Sequence, residues 1–249
     1  MLEGKERVDN LLWRGLKIIQ NPDWFCFSLD AVLLAYFATV RPGDRVVDLG
    51  TGTGVIPLLL VARTRKVKII GLEIKAEIID MAQRTISLNE LTKCISFMEG
   101  DIKNSAAILG WGRYDLVTSN PPYARASSGR ISISPIKAAA RTEILCNLED
   151  VVREGAGLLN TEGRLALIHR PSRLADIIFY MRQYGIEPKR MRLIYSRPEK
   201  EPNLVLVEGI KNGKKDLVVY PPLYVYDSPG VYSKEMAEIF SGSFLPKKW

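Results

Sequence analysis

The sequence has few of the residues that build disulfide frameworks or zinc sites. It contains three widely spaced cysteines, Cys26, Cys94 and Cys146, with no Cys-x-x-Cys pair, and a single histidine, His169. An odd number of dispersed cysteines argues against a disulfide framework, and one histidine cannot complete a zinc site by itself. We therefore expect reduced thiols, a cytoplasmic protein and no metal.

Long hydrophobic segments are also missing. The longest apolar runs, around residues 29–40 and 55–62, are too short to cross a bilayer, and the N-terminus lacks the apolar stretch of a signal peptide. With 47% hydrophobic residues, the chain can still build a substantial core. Its 35 basic residues exceed its 28 acidic residues, giving a formal net charge of +7. This excess favours a polyanionic partner over an acidic protein partner.

Short apolar runs alternate with helical patterns along most of the chain. The runs predict five strands, at residues 45–49, 67–74, 95–98, 114–119 and 163–169. Two later runs, at residues 190–196 and 203–209, are separated by a charged turn and predict an antiparallel hairpin. The pattern indicates a doubly wound α/β sheet of seven mostly parallel strands with an antiparallel terminal hairpin. We expect one domain over residues 1–249, with a core at 41–215 and a turn-rich tail at 216–249 that wraps the surface.

A glycine loop follows the first predicted strand of the core and opens a helix. It reads Asp48-Leu-Gly-Thr-Gly-Thr-Gly54, in which Gly50, Gly52 and Gly54 allow a tight turn and a close approach to a ligand. The third glycine arrives one residue too early for a dinucleotide fingerprint, and no Lys-Ser/Thr pair marks a P-loop. The Asp48 anion would repel a pyrophosphate but tolerate a sulfonium, which favours S-adenosylmethionine over NAD or ATP. A glycine turn without a ligand is the alternative.

Two acidic residues follow the next strands and support the presence of a ligand. Glu73 ends the second strand of the core, where a carboxylate can accept hydrogen bonds from both ribose hydroxyls. Asp101 follows the third strand and could meet the amino group of an adenine ring. Ligands of doubly wound sheets bind at the carboxyl ends of the strands, which is where both residues are expected.

The tetrapeptide Asn120-Pro121-Pro122-Tyr123 follows the fourth strand. The Asn120 amide oxygen is an acceptor, the prolines have no N–H, and Tyr123 offers a flat face on which a base can stack. Two acceptors and a stacking face suit a planar amino group, such as that of adenine or of glutamine. The alternative is a proline turn that ends a strand, but the position downstream of the glycine loop favours the functional interpretation.

These motifs, in this order, resemble the class I S-adenosylmethionine-dependent amino-methyltransferases, and within them the bacterial tRNA(Val) adenine-N6 methyltransferases that modify adenosine 37. Residues 27–34 are similar to the segment that closes over the methionine end of the cofactor, so residues 1–40 are expected to cover the cofactor. The resemblance also covers Ala140-Arg141-x-Glu143 and residues 168–171. It implies S-adenosylmethionine as cofactor, tRNA as partner, and a monomer or alternatively a homodimer. It adds Asp30, Ile102 and Asn120 to the cofactor-binding candidates.

The resemblance also implies a mechanism. Asn120 Oδ1 and the Pro121 carbonyl would accept the two N–H bonds of the adenine amino group, and Tyr123 would stack on the base. No metal or strong general base would be needed. Two alternatives remain: glutamine-N5 methylation of a protein such as a release factor, and an RNA-binding protein that has lost catalysis.

Basic residues near these motifs are candidates for contact with RNA. A loop just past the tetrapeptide carries four of them and no acid between residues 124 and 142; they are Arg125, Arg130, Lys137 and Arg141. A solvated, mobile loop is the alternative. His169 and Arg170 end the fifth strand, where a pocket wall is expected, although a satisfied structural histidine would also fit there. Residues 182–215 carry a local excess of five positive charges, which also fits a solvated face.

Overall fold

The computed structural model describes residues 2–24, 26–121 and 146–245. The chain begins with an antiparallel hairpin of β1 (Arg7–Asn10) and β2 (Lys17–Gln20), which the sequence pattern does not predict. Strands and helices then alternate, as expected. The helices are α1 (Leu29–Phe37), α2 (Val55–Arg63), α3 (Ala76–Leu88), α4 (Ser105–Leu109) and α5 (Leu148–Leu158). The strands are β3 (Arg45–Leu49), β4 (Lys68–Glu73), β5 (Ile95–Glu99), β6 (Tyr114–Ser119) and β7 (Leu159–His169).

These five strands are parallel, and β3 lies between β4 and β6. The register pairs Asp48 with Gly71 of β4 on one side and with Thr118 of β6 on the other. The carboxyl ends of the three strands therefore meet at one side of the sheet, here called the carboxyl edge. The opposite side, where the same strands begin, is called the amino edge.

The predicted terminal hairpin is confirmed. Helix α6 (Leu174–Gln183) leads into β8 (Ile186–Tyr195), and β8 pairs antiparallel with β9 (Pro202–Lys211). Strand β9 pairs antiparallel with β7, so it joins the hairpin to the parallel part of the sheet. Both strands are longer than predicted because their pairing continues at the ends away from the charged turn, as far as Ile186 with Lys211.

The tail contributes more to the fold than the expected surface turns. Strands β10 (Val218–Val219) and β11 (Leu223–Tyr224) both pair parallel with β8 and bring the described sheet to nine strands. A hairpin of β12 (Tyr226–Ser228) and β13 (Val231–Tyr232) and helix α7 (Lys234–Ser241) follow. The two short strands cover the edge of β8, whose backbone groups would otherwise lack partners.

Helix α7 also connects the tail to the N-terminal segment. Its Met236 and Ile239 side chains are buried, and the buried Trp13 indole N–H donates a hydrogen bond to the Ile239 carbonyl at 2.7 Å. Phe244 packs edge-on against the rings of Trp13 and Tyr36. Residues near the two ends of the sequence therefore share one apolar cluster beside α1. No local sequence pattern predicts this contact.

The helices follow their hydrophobic patterns. Helix α2 is apolar almost all round and nearly all of it is buried, whereas α3 buries one face, formed by Met81, Ala82, Thr85 and Ile86. Helix α5 begins at Leu148 because the Asn147 side chain accepts a hydrogen bond from the Asp150 N–H at 2.8 Å, while the Asp150 side chain accepts from the Asn147 N–H. The sequence pattern predicts a helix over residues 141–159, and residues 141–145 of this range lie outside the described residues.

The carboxyl end of α1 is fixed by charged groups of neighbouring elements. The Arg63 guanidinium donates to the carbonyls of Ala35 and Ala38 at 2.6 and 2.5 Å. Glu208 of β9 accepts from the backbone and hydroxyl of Thr39, both at 2.7 Å, and forms an ion pair with Arg190 of β8 at 2.9 Å. These contacts satisfy the exposed carbonyls of the last turn and hold α1 on the sheet. Across the described ranges, helices of membrane-spanning length and apolarity do not occur.

Candidate functional site

A cavity opens at the carboxyl edge of β3, β4 and β6. Helix α1 and the segment before it cover one side, and the start of α3 forms another side. Seven of the predicted site residues line the cavity: Gly50, Gly52, Glu73, Asp101, Ile102, Asn120 and Pro121. Two separate sequence signals, the glycine loop with its acids and the tetrapeptide, therefore meet around the same space.

The glycine loop has the backbone conformation that requires glycine. Gly50, Gly52 and Gly54 have φ values of 69°, 54° and 82°. A Cβ atom at Gly54 would lie 2.5 Å from the Phe97 ring, so this position must also be small. Gly54 is absent from the cavity lining and instead closes the loop at the start of α2. The first two glycines thus face the cavity, and the third sets the packing below it.

Glu73 is held in place by three backbone N–H groups. One carboxylate oxygen accepts from Gly52 at 3.1 Å, and the other accepts from Ile74 and Lys75 at 3.0 and 3.3 Å. The pKa of the Glu73 carboxyl is raised above its ordinary value, because the effect of burial exceeds the lowering effect of the three backbone hydrogen bonds. The carboxylate therefore ties the glycine loop to the end of β4 while it still lines the cavity. A ribose diol could use its remaining acceptor positions.

Asp48 lies below the loop and is absent from the cavity lining. Its side chain is fully buried; Oδ1 accepts from the Thr118 hydroxyl at 2.6 Å, while Oδ2 has no partner among the described residues. Burial raises the pKa of Asp48 to about 7, against the lowering effect of its hydroxyl neighbours. The Thr51 hydroxyl is close enough to Asp48 to lower this pKa, but it makes no hydrogen bond of normal geometry in the described part of the chain. The sequence argument assumed that the Asp48 carboxylate would lie directly against a bound ligand. Because Asp48 does not line the cavity, it can influence a ligand only through the loop.

Asp101 and Ile102 form the far wall of the cavity. The Asp101 side chain accepts from the Lys103 N–H at 2.9 Å and caps a short 3-10 helix, Ile102–Asn104. Ile102 packs over the glycine loop, since its Cδ1 lies 3.5 Å from the position of a Cβ at Gly50. The half-buried Asp101 carboxylate can thus meet a polar group, and Ile102 can meet a flat apolar one.

The segment before α1 covers the cavity, as expected for part of residues 1–40. Trp24, Phe27 and Ser28 line it, together with Ala31 of α1. Ser28 is the N-cap residue of α1 but makes no capping hydrogen bond with its side chain. Asp30 lies in the first turn and is absent from the lining, so the structure does not bring it to the cavity wall.

Asn120 and Pro121 lie directly after β6 and line the cavity, as does the buried Cys146. The other predicted members of this region lie outside the described residues, so the structure places none of them; they are Pro122, Tyr123, Arg125, Arg130, Lys137 and Arg141. The described part of the tetrapeptide therefore lies at the cavity.

His169 and Arg170 do not line the cavity. The His169 side chain is fully buried, its Nδ1 accepts from the Arg170 N–H at 2.8 Å, and burial lowers its pKa to about 4. The imidazole is therefore neutral near pH 7, and its burial and hydrogen bond fit a structural histidine. Arg170 is exposed and donates to the Asn203 carbonyl at 3.2 Å. A direct role of either residue in the cavity is not supported.

Comparison with known proteins decides the family. A sequence profile described as the methyltransferase small domain matches residues 18–175. The chain belongs to the methyltransferase small domain family. The matched residues include the glycine loop, Glu73, Asp101 and Asn120.

Individual relatives of this methyltransferase carry a more specific name. A Porphyromonas gingivalis protein is 32% identical over 185 residues, which cover 72% of each chain. An Aeromonas salmonicida protein is 28% identical over 221 residues, covering 87% of this chain and 89% of the relative. Both are named tRNA1(Val) (adenine(37)-N6)-methyltransferase.

Solved structures share the fold of the methyltransferase. An Agrobacterium tumefaciens protein described as a predicted O-methyltransferase has a TM-score of 0.69 at 24% identity, covering 86% of this chain and 96% of its own. P. horikoshii TYW2, solved in complex with MeSAdo, has a TM-score of 0.60 at 16% identity and covers 85% of this chain and 73% of its own. The resemblance in fold class stated from sequence is confirmed.

The methyltransferase cavity also contains residues that the sequence reasoning did not single out. Lys75, Ile78 and Met81 line it from the first turns of α3. Their spacing of three residues, directly after Glu73, places them on one face of a helix and could have identified them. Gly71 is a different case, because a Cβ there would lie 2.6 Å from the Phe97 ring and 2.7 Å from the Thr51 methyl group. Only the packing of three separate elements reveals that requirement.

In the described part of the methyltransferase, no group of three or more His, Cys, Asp or Glu side chains could hold a metal ion.

Proposed function

We propose that this methyltransferase transfers the methyl group of S-adenosylmethionine to the exocyclic N6 of an adenine in tRNA, specifically adenosine 37 of tRNA(Val). One observation carries the proposal: Asn120 and Pro121 line the same cavity as Glu73 and Asp101. The nucleotide and the tRNA follow from the names of the relatives in P. gingivalis and A. salmonicida.

The cavity residues fit the chemistry of the cofactor. Glu73 would accept hydrogen bonds from the ribose hydroxyls, and Asp101 would accept from the adenine amino group, with Ile102 against the ring. Gly50 and Gly52 leave room for the backbone to approach the methionine part. The buried unpartnered oxygens of Asp48 and Thr51 below the loop fit a ligand that is positively charged and polar at this point. When bound, S-adenosylmethionine supplies an electrophilic methyl group.

The tetrapeptide would activate the amino group of the target. Asn120 Oδ1 and the Pro121 carbonyl would accept its two N–H bonds, which favours a pyramidal nitrogen with its lone pair directed into the cavity. The same two acceptors stabilise the positive charge that develops on the nitrogen. Tyr123 would stack on the unpaired base, contributing about 1–3 kcal/mol. The remaining contribution is orientation of the two reactants at the carboxyl edge.

We also propose that residues 1–249 act as one catalytic domain. The Trp13–Ile239 hydrogen bond and the pairing of β10 and β11 with β8 support this organisation, because they join both ends of the sequence to the sheet that carries the site.

The function is tested by incubating the protein with S-adenosylmethionine labelled on its methyl group and with total bacterial tRNA. Digestion to nucleosides should yield labelled N6-methyladenosine, and a tRNA(Val) transcript should be a substrate whereas the same transcript with guanosine at position 37 should not. A release-factor peptide in a parallel reaction addresses the second candidate from the sequence. Labelled glutamine in that peptide, without labelled adenosine, would overturn the proposal.

A further inference from the structure

The amino edge of the sheet, opposite the cavity, carries a cluster of exposed basic side chains. Six of them lie at or just before the starts of β3, β4, β5 and β6: Arg41, Arg45, Lys66, Lys68, Lys93 and Arg113. This group is called the basic edge. It lies one strand length from the cavity, since the five residues of β3 span about 13 Å.

Backbone contacts show that the basic edge is continuous. Arg45 and Lys68 are direct partners in the pairing of β3 with β4. The Lys66 carbonyl accepts from the Gly43 N–H, and the Lys68 ammonium donates to the Lys93 carbonyl at 2.6 Å. The Arg45 guanidinium lies 5.3 Å from the centre of the Tyr114 ring. Tyr114 is the residue after Arg113, so Arg113 lies at the start of the strand next to Arg45. The cations therefore follow successive strand starts along one side of the molecule.

None of the six cations forms an ion pair with a carboxylate among the described residues. Some cations elsewhere are paired, as in Arg153–Asp150, Arg182–Glu187 and Arg197–Glu199, whereas other exposed cations such as Lys17, Lys103 and Lys234 also form no ion pair in the described part of the chain. The basic edge differs from these scattered residues because its six cations lie together at the starts of neighbouring strands.

The acids at the same edge do not neutralise the cluster. The Asp44 carboxylate is buried and accepts two hydrogen bonds from Arg164, both at 2.9 Å. Asp115 is half-buried and accepts from the Arg45 backbone N–H at 2.8 Å and from the Asn160 amide at 2.7 Å. The exposed Glu90 and Glu162 make no ion pair with the cluster among the described residues. A polyanion approaching this edge would meet cations that have no carboxylate partner among the described residues.

We propose that the basic edge binds the phosphate backbone of the RNA substrate at a distance from the target nucleotide. The proposal rests on the proposed function, because it assigns a second contact surface to the same substrate. Strands about 4.8 Å apart set the cations in a row, which suits a line of phosphates and carries no base specificity. Such contacts orient a long RNA while the cavity selects the base.

The test measures binding of a fluorescently labelled tRNA transcript by anisotropy at several salt concentrations. Lys66→Gln and Lys93→Gln each remove one exposed charge without removing a hydrogen bond made by the side chain in the described structure. We expect the double variant to bind tRNA about three- to tenfold more weakly at moderate salt and to lower the slope of log K against log salt by between about 1 and 2. Lys234→Gln, which removes an exposed cation of α7 outside the basic edge, is the matched control and should change neither quantity.

Two further measurements make the result decisive. Calorimetry with S-adenosylmethionine should give unchanged cofactor affinity in all variants, which shows that the fold is intact. An unchanged tRNA affinity and salt slope in the double variant would overturn the proposal. So would binding to phosphatidylserine vesicles that is lost in the double variant while RNA binding stays intact, because the surface would then serve a membrane. Binding is measured without methyl transfer, so the proposed reaction and the proposed surface can fail separately.

Discussion

The Thr118 hydroxyl donates a 2.6 Å hydrogen bond to Asp48 Oδ1 between two neighbouring strands, directly below the glycine loop. The second oxygen of the carboxyl has no partner in the described part of the chain, and burial raises its pKa to about 7. Burial makes ionisation of the Asp48 carboxyl costly. A cation above the loop would favour the ionised form. We therefore expect binding of a cation above the loop to be linked to loss of a proton from Asp48.

Asp48→Asn should make the cofactor-free protein more stable at pH 8. The pKa of Asp48 is higher in the folded than in the unfolded state, so the folded state binds more protons between about pH 4 and pH 7. The free energy of unfolding of the native sequence should fall as the pH rises through this window, by at most about 4 kcal/mol. Urea denaturation at pH 5 and pH 8 measures the free energy of unfolding of both proteins, and the advantage of the variant over the native sequence should be larger at pH 8. Calorimetry should show weaker binding of S-adenosylmethionine to the variant, and a variant equally destabilised at both pH values would contradict this interpretation.

The single histidine allows a direct check of its buried state. Because His169 is the only histidine in the sequence, its imidazole NMR signals need no assignment by mutation. Burial lowers its pKa, and the titration midpoint should lie near 4, well below the ordinary value of 6.5. The unfolded state then binds more protons between these values, so this group makes stability rise with pH from about 4 to 6.5. A midpoint at or above 6 would show that the imidazole is accessible and would reopen a role for it in substrate binding.

Asn120→Ala should abolish methyl transfer and leave cofactor affinity within a few-fold. The substitution removes one of two acceptors that would stabilise the charged nitrogen, and loss of one such group costs roughly 10²–10³ in rate. Single-turnover transfer to tRNA and calorimetry with S-adenosylmethionine separate the two effects. Asn203→Ala is the matched control, because Asn203 is exposed and its recorded contact uses its backbone carbonyl. Transfer by Asn120→Ala at the normal rate would rule out the proposed acceptor.

Gly71→Ala should destabilise the protein by about 1–3 kcal/mol, because the new methyl group would collide with the Phe97 ring and the Thr51 side chain. The backbone N–H of Thr51 is bound to the Leu72 carbonyl at 3.0 Å, so displacement of Thr51 should also weaken cofactor binding. Chemical denaturation and calorimetry measure the two effects. Ser96→Ala, at an exposed position of the neighbouring strand β5, is the control and should stay within about 0.5 kcal/mol of the parent. Equal stability of both variants would mean that the sheet can adjust to the added group.

Much of the site could be predicted from sequence because its signals are local. The glycine loop, Glu73, Asp101 and Asn120 each follow a short apolar run, and parallel strands bring such positions to one edge whatever the details of packing. The same logic does not bring His169 to the cavity, although His169 also ends a strand. Its side chain is fully buried, and the end of a strand does not reveal on which side its last residue lies. Asp30 shows a similar limit, because helical position alone does not decide which residue meets the cavity.

The sequence by itself determined the order of the strands from β3 to β9, the conformation of the glycine loop and the position of Asn120 and Pro121 after β6, because each depends on residues close together in the chain. Tertiary structure alone decided the Asp48–Thr118 hydrogen bond, the space required at Gly71, the contact of Trp13 with Ile239 and the continuity of the basic edge. These features join residues 20 to 226 positions apart or link elements through strand register. The physical reason is that burial and pairing are set by the neighbours that packing supplies, which a linear pattern of residue types does not specify.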